Sequence, residues 1–205
     1  MYVPPLFRVE ESAAWSVVID AGAGYLVVAT PDGLASVFVP VVVSEDRSQI
    51  TTHVARANPW WRVIGDGAEV VGLFVAASAY VSPSLYPSRL EDPGVVPTWN
   101  YAAAEVRGRA TVHDDPTWLA SQVRRQTDTF EEGRDPRWWV DDAPAPYIER
   151  QLRAIVGVSV TVTAIEGKAK LSQNRPEIDH DQVAATFAAG TWRERDVARR
   201  RVRDL

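Results

Sequence analysis

The sequence predicts a mainly β fold with peripheral helices, an α+β chain built on a small antiparallel barrel. Three observations carry this. β-branched and apolar runs recur between short turn signals, so successive runs pair as hairpins rather than through long crossovers. Two capping signals, Asn58-Pro59 and Asp115-Pro116, set helices between those runs. The chain is 205 residues long, 46% hydrophobic and free of cysteine, enough to bury one core without disulfides. One domain over 1–205 is expected, with helical insertions at about 115–154 and a helical tail at about 180–205.

In order, Glu10 to Ala21 repeats apolar residues at helical spacing, and Gly22 ends that helix. Tyr25 to Thr30 and Leu34 to Val43 are strands joined by the turn Pro31-Asp32-Gly33. Gln49 to Val54 is a third strand. Asn58-Pro59 opens a short helix through Val63, closed by Gly65 and Gly67, and Glu69 to Ala76 is a fourth strand. Trp99 to Thr111 is a long strand. Asp115-Pro116 starts a helix to about Glu131, and Tyr147 to Ala154 forms another. Val156 to Ile165, rich in Val and Thr, is a strand. Gly167 to Pro176 is expected to be a loop, and Asp181 to Leu205 helical. These runs amount to five to seven strands.

Between the fourth strand and Trp99 lies a segment with prolines at 83, 87, 93 and 97 that still carries Tyr80, Tyr86, Trp99 and Tyr101. Proline lacks an N–H and fixes φ, so the segment is neither helix nor central strand. A stiff loop rich in aromatics is expected to fold over a cavity and line a site.

Four stretches here resemble one family, the PaiB-type FMN-binding negative transcriptional regulators. They are the opening Met1-Tyr2-Val3-Pro4-Pro5-Leu6-Phe7, His53-Val54-Ala55-Arg56-Ala57-Asn58-Pro59 with Trp61, YVSPSLYPS with VPTWNY, and Lys170-Leu171-Ser172-Gln173-Asn174-Arg175-Pro176. The resemblance spans almost the whole chain. It implies an FMN-binding split β-barrel, a homodimer, and a flavin site between subunits. On that reading His53, Arg56 and Asn58, with Lys170, Ser172, Gln173 and Asn174, hold FMN. Physical chemistry supports an anion site at the first group, since a helix N-terminus presents free N–H groups and Arg56 stands just before it. The plain alternative is an Asn-Pro cap beside a surface arginine. For the second group the alternative is a loop that caps a strand and a helix.

The departures matter as much. Where the family carries Thr-His this chain has Val37-Phe38, Ser78 replaces a histidine, Glu105 replaces another, and Leu85 stands for a common Trp. Replacing imidazoles by Phe, Ser and Glu makes a pocket more apolar and adds a carboxylate, which repels a phosphate and attracts an amine. A desolvated Glu105 suits acid–base work. The resulting expectation is a flavin-independent small-molecule enzyme of specialised metabolism. It would catalyse a Pictet–Spengler-type condensation of an aromatic amine with an aldehyde, Glu105 being the base. Phe38, Ser78, Tyr80, Trp99 and Asn100 would bind substrate, with no cofactor. The alternatives are an FMN-binding regulator or flavin reductase-like protein, and a non-catalytic dimeric binding module. Strand alternation sets Glu105 on the face of Ala103 and Arg107, the polar face of its strand, so a solvent-facing Glu105 stays open.

Charge and composition restrict the remaining classes. The net charge of −5 argues against a nonspecific nucleic-acid binder, and no helix-turn-helix signature stands out. The Arg-rich tail is interleaved with acids and reads as a solvated helical face. There is no metal-ligand spacing around the three histidines. No apolar run of about 18 residues and no signal peptide are evident, so a cytoplasmic location and no membrane contact are expected.

Overall fold

The computed structural model describes residues 1–65 and 67–202. Among these the strands are β1 (Arg8–Val9), β2 (Ala23–Thr30), β3 (Gly33–Pro40), β4 (Val42–Val43), β5 (Gln49–Ala55), β6 (Glu69–Val81), β7 (Thr98–His113) and β8 (Ile155–Lys170). The helices are α1 (Glu11–Ala21), α2 (Trp60–Ile64), α3 (Pro116–Glu131), α4 (Ala145–Arg153), α5 (Glu177–Ala188) and α6 (Trp192–Val202). The sheet runs β3-β2-β6-β7-β8-β5-β4 with β1 on β8. It is mostly antiparallel and does not close.

Local chemistry explains the elements that the sequence announces. α1 buries Ala14, Trp15, Val17 and Val18 and stops at Gly22, whose φ of 64° is one that glycine adopts without strain. The β2–β3 hairpin closes at Thr30↔Gly33, where the Thr30 hydroxyl donates to the Gly33 carbonyl at 2.9 Å. Asn58 Oδ1 accepts from Trp60 N at 3.0 Å, and Asp115 accepts from Trp118 N at 2.7 Å, so both predicted caps form.

Several expectations change. β6 is one strand from Glu69 through Val81 rather than one ending at Ala76. β8 continues to Lys170, so the loop expected from Gly167 begins only after it. The tail is two helices. Gly190 and Thr191 divide them, and Thr191 with Glu194 forms a reciprocal cap: Thr191 N donates to Glu194 Oε2 at 2.6 Å, and Glu194 N to Thr191 Oγ1 at 3.4 Å. Residues 203–205, with Arg203, lie outside the described residues.

The chain divides into two units. The first comprises residues 1–21, 74–105 and those from 165 on. Its core gathers Ala77, Ala79 and Val81 of β6, Ala169 and Leu171, Val183 and Phe187 of α5, Val197 of α6, and Tyr86. The proline-rich segment forms two short 3-10 turns, Pro83–Leu85 and Pro87–Leu90. It packs onto α5, with Tyr86 as its anchor in the core. The second unit, 22–73 and 106–164, holds the β2–β3 hairpin, β4, β5, α2, α3 and α4. There Gly157 is required because a Cβ would strike the Trp118 ring, which stacks on His113 at 4.0 Å.

Candidate functional site

In the first unit, strand alternation sorts the predicted residues. Ala77, Ala79 and Val81 enter the core, so Ser78 and Tyr80 face the other way. Ala169 of β8 and Leu171 just after it enter the core, and Lys168 and Lys170 face away. On β7, Trp99, Tyr101 and Glu105 alternate with the buried Asn100, Ala102 and Ala104. Ring contacts show that these faces coincide. Tyr80 and Trp99 lie 6.1 Å apart at 59°, and Lys168 Nζ stands 5.4 Å from the Tyr101 ring and 5.9 Å from that of Tyr2. Tyr80 is 51% exposed and Trp99 45%. The result is an open aromatic surface with ammonium groups at its edge, which suits a planar, electron-rich anion.

Glu105 sits on this surface without being open to water. It is 9% exposed, and its carboxylate lies 2.9 Å from the Met1 amino group, which Glu166 approaches at 3.5 Å. Alternation sets it on the face of Ala103 and Arg107, and the N-terminal Met1 covers it there. Asn100 is on the opposite face. Its amide donates to Ser172 Oγ at 2.9 Å, and Ser172 Oγ donates back to Asn100 Oδ1 at 3.1 Å.

Most polar side chains of the Lys170–Pro176 motif find partners within the chain. Lys170 Nζ donates to Thr98 Oγ1. The side chain of Gln173 closes on its own backbone, accepting from Leu171 N at 2.6 Å and donating to Ala169 O at 2.5 Å. Asn174 is exposed. Sequence reasoning missed the next part, Arg175 and Asp179. Asp179 is 0% exposed and accepts from Ser88 N (2.9 Å), Ser88 Oγ (2.7 Å) and Arg175 Nη2 (2.6 Å). Arg175 also lies 4.4 Å over Tyr86. Burial pushes the Asp179 carboxyl up, yet these donors outweigh it and hold it below its ordinary value. The four-residue spacing of Arg175 and Asp179 is the sequence signal that finds the pair.

The second unit holds Phe38, His53, Arg56 and Asn58. Arg56 makes four hydrogen bonds within its own chain. Nη1 donates to Asp114 Oδ2 at 3.0 Å and Nη2 to Asp114 Oδ1, while Nε donates to Arg153 O at 2.8 Å and Nη2 to Ile155 O at 2.9 Å. The hydrogen bonds to Asp114 raise the guanidinium above its usual value and lower the carboxyl. Asn58 caps α2. His53 lies partly buried with Nδ1 unpartnered, and burial lowers its pKa. Phe38 is 60% exposed, with its ring centroid 5.1 Å from that of Tyr25 in an edge contact. Phe38 and Leu73 both pair with Tyr25 across β3-β2-β6, so an exposed apolar row crosses three strands. Among the described residues no three His, Asp or Glu side chains are grouped to hold a metal, and no helix is long and apolar enough to cross a membrane.

Residues 1–164 match the family described as "Putative FMN-binding domain". The chain is also 33% identical over 187 residues to "Protease synthase and sporulation protein PAI 2" of Bacillus subtilis, covering 89% of this chain and 87% of that one. The chain is a PaiB-type member of this FMN-binding family. Solved structures agree at the level of fold. The flavocytochrome Anf3 of Azotobacter vinelandii superimposes with a TM-score of 0.61 at 12% identity, over 86% of this chain and 75% of that one. The FAD and heme binding protein of Mycobacterium smegmatis gives 0.57 at 16% identity, over 90% and 80%. The fold is thus the flavin-binding split barrel that the family motifs imply, within a mainly β chain carrying peripheral helices.

Proposed function

We propose that this family member binds FMN on the outward face of the first unit, as a flavin-dependent regulator or reductase. The observation that carries this reading is the exposed Tyr80–Trp99 pair with Lys168 and Lys170 on the same face. The aromatic rings offer a stacking surface for a flat ring system, and the two ammonium groups offer charge for a phosphate. These residues fit the group. Arg56, engaged by Asp114, is a structural arginine and lies outside this grip. When bound, the flavin would supply hydride and single-electron chemistry. The chain's own residues would orient it and exclude water from one side. The exposed Phe38–Tyr25–Leu73 row supports a second copy of the chain as the partner that covers the β2–β3 face.

Absorbance of the purified protein, before and after excess FMN and desalting, tests this. Retained flavin bands that weaken in Trp99→Ala and Lys170→Gln are expected. Light scattering of the eluted protein at twice the chain mass is the expected sign of the dimer.

One observation favours a second reading. Glu105, Ser78, Tyr80 and Trp99 share one face, and the Glu105 carboxylate already holds an amino group there. A cofactor-free Pictet–Spengler-type condensation would use Glu105 to anchor the amine and take up the ring proton. Protein that stays colourless with FMN, yet turns over arylethylamines with aldehydes, would establish it. Undiminished turnover in Glu105→Gln would remove Glu105 as the base.

A further inference from the structure

The second unit contains a cavity of about 490 Å³ lined by Arg56, Asp114, Pro116, Leu119, Glu149, Leu152 and Arg153. That volume falls within the roughly 300–1,000 Å³ typical of small-molecule sites. Leu119 of α3, which is buried, is among its lining residues. Leu152 of α4 and Pro116 supply apolar walls. α4 has a strongly apolar side, Tyr147, Ile148 and Leu152, yet none of its residues is buried. Of that side, Leu152 lines the cavity.

Its mouth carries two charges of opposite sign. Glu149 and Arg153 stand one turn apart on α4, are exposed, and enter no ion pair among the described residues. Arg56 and Asp114 do not compete for a ligand's charge, because each neutralises the other. Arg56 instead fixes the end of α4, since its Nε and Nη2 hold the carbonyls of Arg153 and Ile155. Four of its five N–H groups are thereby in use, and one Nη1 donor remains.

We infer that this cavity binds an apolar α-amino acid. Its side chain lies against Leu119, Leu152 and Pro116, its ammonium meets Glu149, and its carboxylate meets Arg153 and the remaining Arg56 donor. A simple anion would face Glu149 and a simple amine would face Arg153, so only the zwitterion matches both charges. This site is separate from the proposed flavin face and stands or falls independently of it.

Titration calorimetry of the full chain with L-phenylalanine and L-leucine tests the inference. 3-Phenylpropionate, which lacks the ammonium, and 2-phenylethylamine, which lacks the carboxylate, serve as controls. Saturable binding of at least one amino acid is expected. Each control, and each of the exposed substitutions Glu149→Gln and Arg153→Gln, should bind at least about tenfold more weakly. Leu152→Trp should fill the cavity and abolish binding, with an unchanged circular dichroism spectrum. Absence of saturation by both amino acids, controls that bind equally well, or unchanged binding in all three variants would each overturn it. FMN retention, measured on the same variants, should not change, which keeps this test distinct from that of the flavin face.

Discussion

Ser172 and Asn100 form a buried pair in which each side chain donates to the other, at 3.1 and 2.9 Å. Ser172 sits at φ 69°, a left-handed conformation that costs a residue with a Cβ roughly 1–2 kcal/mol. Side-chain pairing and backbone strain therefore oppose each other at one residue.

That opposition orders two substitutions. Ser172→Ala keeps the strain and strands the Asn100 amide, and should destabilise by about 1–3 kcal/mol. Ser172→Gly loses the same hydrogen bonds but relieves the strain, so it should be the more stable of the two. Urea denaturation midpoints decide this, and the reverse order would show that the backbone there is not strained.

Arg56→Lys separates structural from ligand roles in the His53–Pro59 motif. A lysine cannot reproduce the fork to Asp114 together with the two carbonyl contacts. The thermal midpoint should fall, because the two carbonyl contacts that hold the end of α4 are lost. FMN affinity should change by less than about threefold. A large affinity loss with an unchanged midpoint would return Arg56 to the phosphate grip.

Asp179→Asn removes one partner of a buried, hydrogen-bonded ion pair and should cost about 3 kcal/mol. Because the folded carboxyl is held below its ordinary value, its contribution is fully present above that value. It is lost as pH falls through the lower folded one. Wild-type stability should therefore decline below about pH 4 more steeply than that of Asp179→Asn. Chemical denaturation between pH 3 and pH 7 would measure the difference in slope, and parallel profiles would exclude the mechanism.

His53 acts at a higher pH with the same sign. Burial lowers its folded pKa, so the unfolded chain takes up a proton first as pH falls through the ordinary histidine range. Stability should drop between about pH 7 and pH 5.5 in the wild type. His53→Gln, which cannot titrate, should lose that part of the slope. NMR titration of the His53 ring should place its midpoint below the ordinary value.

Elements whose signals are local were legible in the sequence. The Thr30–Gly33 turn, the stop at Gly22 and the caps of Asn58 and Asp115 depend on hydrogen bonds and φ values within a few residues. Strand alternation likewise set Glu105 on the side of Ala103 and Arg107, because a period of two is a property of the backbone. The family, and with it the split barrel, was legible because whole motifs are short and ordered along the chain.

Tertiary structure alone decided what covers each face. Glu105 and Arg107 share one side by alternation, yet Glu105 is shielded by Met1 while Arg107 is exposed, since burial depends on segments remote in sequence. The same holds for Arg56 against Asp114, for Asp179 against Ser88, and for Ser172 against Asn100. A polar motif announces that partners are needed. Only the packing of distant elements decides whether those partners come from a ligand or from the chain itself.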